Sequence, residues 1–383
     1  MSANLFVSHF MGEVSALALT STDNTTYSLD ISATSTDCGQ IPSWLSIDVA
    51  SSTLYCSDEW WNDDSTINAL SFGPDGSFTE AAQTTAKSGS VHNGLYTGAD
   101  GAQFLANSHY TPSTVTTYAL PLEDGSEILQ TLEFTMDGPG PDPRQDAPHP
   151  HQVLQDPTGD YVVIPDLGAD LIRVFTIDKS TGNLEDCPPI NTTAGAGPRH
   201  ARFWNPPAAA PKGKGKAAAP EGTFMYVTNE LSNTVSAFEV TYPEGGCLTG
   251  SELQTLSPYP GDEAGPEGSS TAEVEISGNS VYVSNRGDAS FDGNDSLARF
   301  SIGEEGSLTF EEITSSYGVF PRSFKINKAG DLVAIANQVS ANVAIVARDT
   351  ESGKLGEKVA DLRVGDEGEA GQEAGISGIV WLE

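Results

Sequence analysis

Two of the six histidines in this 383-residue chain, His149 and His151, stand on either side of one proline. They begin the stretch HPHQVLQD, whose apolar residues and following D-P-T-G-D turn predict a short β-strand. Histidines placed at a strand end with arginine and carboxylate groups can transfer protons and stabilise an oxyanion. The sequence contains neither a G-x-S-x-G motif nor a P-loop, so we expect chemistry without a covalent nucleophile.

The strand that starts near His151 belongs to a repeat that runs through the chain. A second apolar strand follows each copy except the last, whose missing partner, LFVSHF, lies at the N-terminus. A third strand and a more polar fourth strand complete each unit. The spacing is roughly 50 residues, within the range of propeller blades. The seven first strands are PSWLSID (from Pro42), HNGLYTG (His92), PHQVLQD (Pro150), RHARFWN (Arg199), TAEVEIS (Thr271), PRSFKIN (Pro321) and ISGIVWL (Ile376).

This repeat predicts one all-β domain over residues 1–383, a seven-bladed β-propeller of four-stranded antiparallel blades. We expect the C-terminal strand to pair with the N-terminal strands, because this closure removes the free edges of the ring. A large sandwich or two separate domains would not explain why the last strand completes the first blade. The segment 206–220, PPAAAPKGKGKAAAP, interrupts the repeat and has the composition of a flexible surface loop.

Antiparallel pairing places the start of each first strand and the end of each second strand at one mouth of the central channel. All six histidines fall at such positions. This favours a binding site over the alternative that each side chain only bonds to the backbone at its own strand end. The predicted catalytic residues are His149, His151, Arg199, Glu230 and Arg286. The predicted substrate-binding residues are Asp58, Glu59, Trp60, His92, His109, His200, Asn285, Arg322 and Gln338.

Two kinds of chemistry fit these side chains. Arg199, Arg286 and Arg322 are planar donors that suit a carboxylate, a carbonyl oxygen or an oxyanion. Glu230 or His151 would then take a proton from water. We expect no cofactor to be required. The alternative is a divalent metal ion, for which ligands are available among Glu59, His92, His109, His151 and His200.

The charge of the chain limits its partners. The formal net charge is −35 and the pI is near 4.2, which argues against nucleic acid or an anionic membrane as partner. No apolar run is long enough to span a membrane. We therefore expect a monomer that binds a small molecule at the channel mouth.

The cysteines and the N-terminus favour a secreted protein. Four cysteines without a C-x-x-C motif suggest disulfides in an oxidising compartment. The chain begins almost directly with a strand, as a secreted protein without its signal peptide would, although a cytosolic protein can begin in the same way. Cys38 can bridge to Cys56 and Cys187 to Cys247, but the sequence leaves the pairing open. Glycosylation sequons stand at Asn24, Asn191 and Asn294.

A set of short motifs resembles the lactonase family of seven-bladed propellers. The motifs are H-x-H-x-V-x-x-D-P-x-G, D-L-G-x-D, G-P-R-H, Y-V-T-N-E-L-S-N-T-V, S-N-R-G and P-R-S-F, all between His149 and Arg348. The family includes propeller-type 6-phosphogluconolactonase and the fungal 3-carboxy-cis,cis-muconate lactonising enzyme. In the muconate branch the resemblance implies a histidine, two arginines and a glutamate as active residues. The matching positions are His149 or His151, Arg199, Glu230 and Arg286.

Within this family the chain is similar to secreted fungal aldonolactonases. The acidic charge, the cysteines and the sequons indicate an extracellular place, where sugar lactones rather than muconate intermediates are expected. Trp60, with Trp44 and Trp61, would form aromatic walls that suit sugar rings. The resemblance implies a carboxylic ester hydrolase that opens glucono- or cellobiono-lactone. The alternatives are a 3-carboxy-cis,cis-muconate cyclase and a non-catalytic propeller that binds carbohydrate or protein.

Overall fold

The computed structural model describes residues 2–21, 26–62, 65–206 and 222–383. The predicted loop 206–220 lies, apart from Pro206, outside the described residues, and so does the sequon residue Asn24. The described residues form seven four-stranded antiparallel sheets with two single turns of 3-10 helix, Ala99–Gly101 and Pro260–Asp262. The predicted seven-bladed propeller is therefore confirmed.

The strands follow the chain order from blade to blade. Blade 1 contains β1 (Ser2–His9), β2 (Glu13–Ser21), β3 (Tyr27–Ser35) and the C-terminal β28 (Ile376–Leu382). Blades 2 to 4 contain β4 (Pro42–Asp48), β5 (Thr53–Asp58), β6 (Thr66–Phe72), β7 (Phe78–Thr85); β8 (Ser90–Thr97), β9 (Gln103–His109), β10 (Thr114–Ala119), β11 (Gln130–Glu133); and β12 (Leu154–Gln155), β13 (Tyr161–Asp166), β14 (Leu171–Ile177), β15 (Leu184–Asn191). Blades 5 to 7 contain β16 (Pro198–Trp204), β17 (Thr223–Asn229), β18 (Thr234–Thr241), β19 (Thr249–Leu256); β20 (Ser270–Ser277), β21 (Ser280–Arg286), β22 (Ser296–Ile302), β23 (Leu308–Ser315); and β24 (Pro321–Ile326), β25 (Leu332–Asn337), β26 (Asn342–Arg348), β27 (Leu355–Arg363).

The apolar pattern of each strand reflects its distance from the channel axis. The second and third strands are covered on both faces by neighbouring blades, so they read as nearly continuous apolar runs. Every residue of β25, LVAIAN, is buried, whereas the outer strand β27, LGEKVADLR, is mostly half-buried or exposed. The hydrophobic core is accordingly divided into clusters that lie between adjacent blades.

Several neighbouring blades are joined by a hydrogen bond from a tyrosine of one blade to a glycine of the next. The hydroxyl of Tyr96 in blade 3 donates to the carbonyl of Gly182 in the last turn of blade 4, at 2.6 Å. Tyr226 and Gly306 make the same contact between blades 5 and 6, at 3.0 Å. Gly182 has a φ of +79°, and a Cβ there would lie 2.2 Å from the Phe104 ring. Only glycine therefore fits this turn without displacing the aromatic ring.

The two ends of the chain close the ring. The C-terminal strand β28 pairs antiparallel with β1, with Leu5 opposite Trp381 and Val7 opposite Ile379. The first blade thus consists of one strand from the C-terminus and three from the N-terminus, as the repeat predicts. Because the inner strand of this blade comes from the far end of the chain, pairing of β28 with β1 holds the two ends of the ring together.

Two disulfides resolve the pairing that the sequence leaves open. Cys38, before β4, is bonded to Cys56 on β5, with Cα atoms 5.5 Å apart. Cys187 on β15 is bonded to Cys247 before β19, with Cα atoms 5.8 Å apart, and thereby joins blades 4 and 5. No helix in the described ranges is long and apolar enough to cross a membrane.

Candidate active site

The inner strands are irregular where they begin at the channel mouth. In blades 3, 5 and 7 the register against the second strand shifts by one residue. At each shift one residue has no partner on the second strand. These residues are Val91 in blade 3, Arg199 in blade 5 and Arg322 in blade 7. Such β-bulges re-aim a side chain at the rim of a sheet. All three of these side chains line one cavity at the mouth.

This mouth cavity has a volume of about 410 Å³. It lies where the first strands begin and the second strands end, as antiparallel pairing requires. Four arginines face three glutamates around it, so the local charge opposes the strongly acidic charge of the whole chain. The described lining residues are Phe10, Glu59, Trp61, Val91, Tyr110, Arg144, His151, Arg199, Glu230, Ser270, Arg286, Phe320, Arg322, Gln338, Gly371, Gln372 and Glu373.

Glu230 is the centre of an arginine cluster on one side of the cavity. Its Oε1 lies 2.6 Å from Nη1 of Arg144 and 3.0 Å from Nη2 of Arg286, and its Oε2 lies 2.8 Å from Nε of Arg199. Burial by itself would raise the pKa of Glu230, but Arg286, Arg144 and Arg199 together hold that pKa well below its usual value. Glu230 is therefore an ionised anchor for three guanidinium groups.

Arg144 forms the outer rim of the cavity. It comes from the connection between β11 and β12, and its side chain is 48% exposed. Its Nη2 donates to the hydroxyl of Tyr110 at 3.2 Å, and the Tyr110 ring stacks on His149 with 3.9 Å between ring centroids. The rim is thus supported by an aromatic stack rather than by strand pairing.

Glu59 lies in a different environment, on the side of the cavity formed by blades 2 and 7. It directly follows β5, and its backbone N–H donates to the carbonyl of Ile41 at 2.8 Å. Its nearest cation is Arg322, whose Nη2 is 3.7 Å from Oε2. Burial raises the pKa of Glu59 to about 7, while Arg322 and Arg199 oppose the shift. A carboxyl group with this pKa exchanges protons near neutrality.

His151 faces the cavity in its uncharged form. Burial, reinforced by the positive charges of Arg199 and by His200, holds the pKa of His151 well below its usual value. Its Nδ1 has no hydrogen-bond partner among the described residues. A neutral imidazole with a free ring nitrogen can position a water or a substrate hydroxyl.

Two of the predicted binding residues form a floor under the cavity. His92 stacks on Trp44 with 4.3 Å between ring centroids, and His200 packs edge-on against His92 and His151. Nδ1 of His200 lies 3.2 Å from the buried Glu273. His92 and His200 are absent from the described cavity lining, so they support it from below.

Ion pairs fill the channel below this floor. Nη2 of Arg202 lies 2.7 Å from Oε1 of Glu275 and 3.3 Å from Oε1 of Glu273. Lys325 pairs with the same two glutamates. These two cations and two anions neutralise one another inside the channel.

Seven of the fourteen residues predicted for the site line the cavity. They are the residues at the ends or bulges of strands whose side chains turn toward the channel axis. Gln338 is held among them because its Nε2 donates to the carbonyls of Gln372 and Ala374, at 2.9 and 3.1 Å. The seven are Glu59, His151, Arg199, Glu230, Arg286, Arg322 and Gln338.

The other predicted residues, besides His92 and His200, bind neighbouring backbone or side chains instead. His109 Nε2 lies 2.8 Å from the Thr116 hydroxyl, within its own blade. Asp58 accepts the backbone N–H groups of Gln40 and Ile41, which fixes the turn before β4. Neither side chain therefore reaches the described cavity.

The same correction holds for Asn285, His149 and Trp60. Asn285 donates to the Ser296 hydroxyl at 3.0 Å. His149 is buried behind the lining, with Nδ1 2.8 Å from the Tyr110 carbonyl. Trp60 is absent from the described lining, and its neighbour Trp61 lines the rim instead. A shift of one residue along an extended chain turns the side chain to the opposite face.

The sequence interpretation did not include several lining residues. Tyr110 directly follows the predicted strand end at His109, so a wider window at that end would have found it. Arg144 lies in the long connection PGPDPRQDAPHPH, outside the repeat. Its one signal in the sequence is that it is a single arginine among prolines and acidic residues. Phe10 and Phe320 place ring faces against Arg322 and Arg286, at 5.0 and 5.1 Å from the guanidinium carbons. These rings hold the guanidinium planes in place.

The alternative metal site does not form in the described ranges. No group of three or more His, Cys, Asp or Glu side chains there is placed to hold a metal ion. His92, His151 and His200 are in ring contact, but His92 stacks on Trp44 and Nδ1 of His200 lies 3.2 Å from Glu273. His109 lies inside blade 3, and Glu59 has Arg322 as its ion-pair partner.

The amino-acid sequence matches a family model described as lactonase, 7-bladed beta-propeller, over residues 4–369. The chain is 32% identical over 352 residues to a probable 6-phosphogluconolactonase of Arthroderma benhamiae, a match that covers 90% of this chain and 83% of that protein. It is also 32% identical over 257 residues to the 6-phosphogluconolactonase of Bacillus subtilis, covering 67% and 66% of the two chains.

Solved structures show the same fold at lower sequence identity. The periplasmic gluconolactonase of Pseudomonas aeruginosa matches with a TM-score of 0.77 and 23% identity, covering 100% of this chain and 99% of that chain. A putative 6-phosphogluconolactonase of Bacteroides fragilis matches with a TM-score of 0.78 and 21% identity, covering 100% and 98%.

Proposed function

Because the chain belongs to the lactonase family of seven-bladed β-propellers, a family of lactone hydrolases, we propose that it hydrolyses sugar 1,5-lactones to aldonic acids. Glucono- and cellobiono-lactone are the proposed substrates, and the mouth cavity is the proposed site. The observation that carries this proposal is the arrangement of Arg144, Arg199 and Arg286 around the single carboxylate of Glu230.

The arginine cluster supports stabilisation of the tetrahedral oxyanion. Three guanidinium groups held by one buried carboxylate keep fixed directions and an excess of positive charge. Nε of Arg286 is buried without a hydrogen-bond partner in the described part of the chain. An unpaired buried donor costs about 1–3 kcal/mol, so the Arg286 guanidinium retains hydrogen-bonding capacity that Glu230 does not use.

The roles of Glu230 and His151 differ in this proposal. Glu230 keeps the arginines in position, because its low pKa and its three ion pairs make it a weak proton acceptor. His151 is neutral, and its free ring nitrogen orients the attacking water or a ring hydroxyl of the sugar. His149 acts through Tyr110, on which it stacks, rather than by contact with the substrate.

The walls of the cavity suit a sugar ring. Trp61 lies at the rim with 42% of its surface exposed, and an exposed indole face is a common platform for pyranose rings. A cavity of about 410 Å³ lies within the usual range for small-molecule sites. Gln338 and Ser270 supply polar groups for hydroxyls of the ring.

A phosphorylated sugar lactone is the second candidate substrate. Relatives of this chain carry the name 6-phosphogluconolactonase, and four arginines line the cavity. Arg144 at the rim could contact a phosphate while Arg199 and Arg286 remain at the lactone carbonyl. The acidic charge of the whole chain opposes a multiply charged substrate, which favours the neutral lactones.

The extracellular location also remains a proposal. Two disulfides and the exposed sequon residue Asn191 support a secreted, glycosylated protein. We also propose that the protein acts as a monomer.

The direct test is proton release after addition of each lactone, corrected for spontaneous hydrolysis, at about pH 6.5 with and without a chelator. Glucono-1,5-lactone, cellobionolactone and 6-phosphogluconolactone are compared at equal concentration. We expect acceleration with the two neutral lactones and no effect of the chelator. Acceleration with the phosphorylated lactone alone would favour the second candidate. Inert lactones combined with turnover of 3-carboxy-cis,cis-muconate, or with glycan binding alone, would replace the hydrolase proposal.

A further inference from the structure

The two buried glutamates of the cavity differ in how their oxygens are used. Both oxygens of Glu230 are ion-paired with arginines at 3.0 Å or less. Oε2 of Glu59 is buried and accepts no hydrogen bond from any residue that the structure describes. Among the described residues its ion-pair partner is Arg322, whose Nη2 is 3.7 Å from Oε2, beyond hydrogen-bonding distance. One carboxylate oxygen of Glu59 therefore has no hydrogen-bond partner among the described residues, and the Glu59 side chain lines the cavity.

The position of Glu59 is fixed although its carboxylate is free. It follows β5 directly, and the bond from its backbone N–H to Ile41 ties it to the segment before β4. Its side chain is only 8% exposed, so it cannot turn away into solvent. A general base needs this combination of a fixed direction and an unoccupied acceptor.

The charged groups around Glu59 come from four parts of the chain. Arg322 on β24 and Arg199 on β16 favour its ionised form, whereas Glu373 before β28 and its neighbour Asp58 disfavour it. Burial is the largest effect and raises its pKa to about 7. A base with a pKa near the working pH combines a useful ionised fraction with a useful affinity for the proton.

We propose that Glu59 is the catalytic general base that activates the hydrolytic water of this lactonase. This inference rests on the function proposed above. The Glu59 carboxylate takes a proton from water as the water oxygen bonds to the lactone carbonyl carbon. The carbonyl π electrons become the oxyanion that faces the arginines. The intermediate then re-forms the carbonyl and breaks the bond to the ring oxygen, which receives the proton from Glu59. The product is the open aldonic acid, which ionises in water.

The other titratable groups of the cavity suit this step less well. Glu230 is ion-paired through both oxygens. His151 has a pKa well below its usual value, so it has little affinity for a proton. Glu373 is partly exposed and lies in the segment before β28, where solvent competes for it. Glu59 alone in this set combines burial, fixed position and an unpaired oxygen.

The test compares Glu59→Gln with the matched variant Glu80→Gln, which removes an exposed carboxylate on β7 of the same blade. Excess hydrolysis over the spontaneous rate is followed from acid to neutral pH with the best neutral lactone. We expect the wild-type kcat/KM to rise with pH through about 7. Glu59→Gln should lose at least about a hundredfold in kcat with little change in KM, and should lose that rise. Glu80→Gln should retain the wild-type kcat and the wild-type rise with pH.

Chemical rescue separates a catalytic role from a structural one. Added formate should restore part of the turnover of Glu59→Ala, because a small carboxylate can occupy the space of the lost base. A Glu59→Gln enzyme with wild-type kcat and the same pH rise overturns the inference while the lactonase function stands. If the glutamine variant does not fold, wild-type kcat with an unchanged pH rise in Glu59→Ala overturns it equally. A wild-type protein inert on every lactone overturns the proposed function and this inference together.

Discussion

Nε of Arg199 lies 2.8 Å from Oε2 of Glu230, and the side chains are 2% and 7% exposed. Arg199 is the bulged residue of β16, and Glu230 directly follows β17, so two paired strands of one blade set this distance. Removing one member of a buried ion pair leaves the other charge uncompensated, which is strongly destabilising. The pair therefore forms a rigid support, and Arg286 and Arg144 also contact its Glu230 carboxylate.

Replacement of Glu230 should disorder the arginines. In Glu230→Gln the amide cannot neutralise three guanidinium groups, so we expect turnover to fall by at least about a hundredfold. Steady-state hydrolysis of the best lactone checks this result. Glu275→Gln is the matched control, because Glu275 also pairs with an arginine, Arg202, but lies below the cavity floor. Undiminished turnover in Glu230→Gln would contradict the assigned role.

Arg144 should affect substrate binding more than turnover. Its side chain is about half exposed at the rim, and its loss leaves the Arg199–Glu230–Arg286 contacts in place. We expect Arg144→Ala to raise KM by about tenfold with a smaller change in kcat. Arg363→Ala, which breaks an exposed pair with Glu367, is the control. A fall in kcat as large as that of Glu230→Gln would show that Arg144 acts on the transition state.

Glu59 should make the protein less stable as the pH rises. The pKa of Glu59 is about 7 in the folded state against an ordinary glutamate value of 4.5, so the folded state retains a proton that the unfolded chain releases. Glu59 therefore does not change the free energy of unfolding below its own pKa in the unfolded chain. As the pH rises from that value toward about 7, Glu59 lowers the free energy of unfolding. By linkage, the loss of unfolding free energy reaches about 3 kcal/mol once the pH is above the folded-state pKa.

The measurement is denaturant unfolding of wild type and Glu59→Gln on both sides of this pH window. We expect the glutamine variant to gain stability relative to wild type above about pH 7, and to gain little below about pH 4.5. Glu80→Gln on the exposed face of β7 serves as the surface control. Equal stability differences at both pH values would mean that Glu59 is not a buried carboxyl group of raised pKa.

The Cys187–Cys247 bond should stabilise the fold without shaping the site. It joins blades 4 and 5 across a sequence separation of 60 residues, far from the described cavity lining. We expect the double variant Cys187→Ser/Cys247→Ser to lose about 2–5 kcal/mol of unfolding free energy and to keep its KM. Thermal unfolding and lactone kinetics on the same sample check both parts. A changed KM at unchanged stability would contradict this separation.

The propeller and its closure were predictable from the sequence because their signals are local. Each blade repeats the same order of apolar runs and turns, and LFVSHF supplies the partner that ISGIVWL lacks. Arg199, Glu230 and Arg286 were predictable because strand order brings the ends of first and second strands to one mouth. The roles of these residues remain predictions.

Other features needed the tertiary structure. Moving one residue along an extended strand turns the side chain from the channel toward its own blade. Arg199 and His151 line the cavity, whereas His109 and Asn285 bond to side chains of their own blades. Arg144 reaches the site through a connection that follows no repeat.

The sequence by itself determined the ring of seven blades and the collection of polar residues at its mouth, because strand periodicity and turn chemistry act over a few residues. Only the tertiary structure decided which carboxylate is held by arginines and which is free. Glu230 and Glu59 both follow second strands, but Glu230 meets Arg199 of its own blade and Arg286 of the next blade, whereas Glu59 of blade 2 meets Arg322 of blade 7. The electrostatic environment that sets a pKa is a sum over groups close in space, and the sequence does not display that proximity.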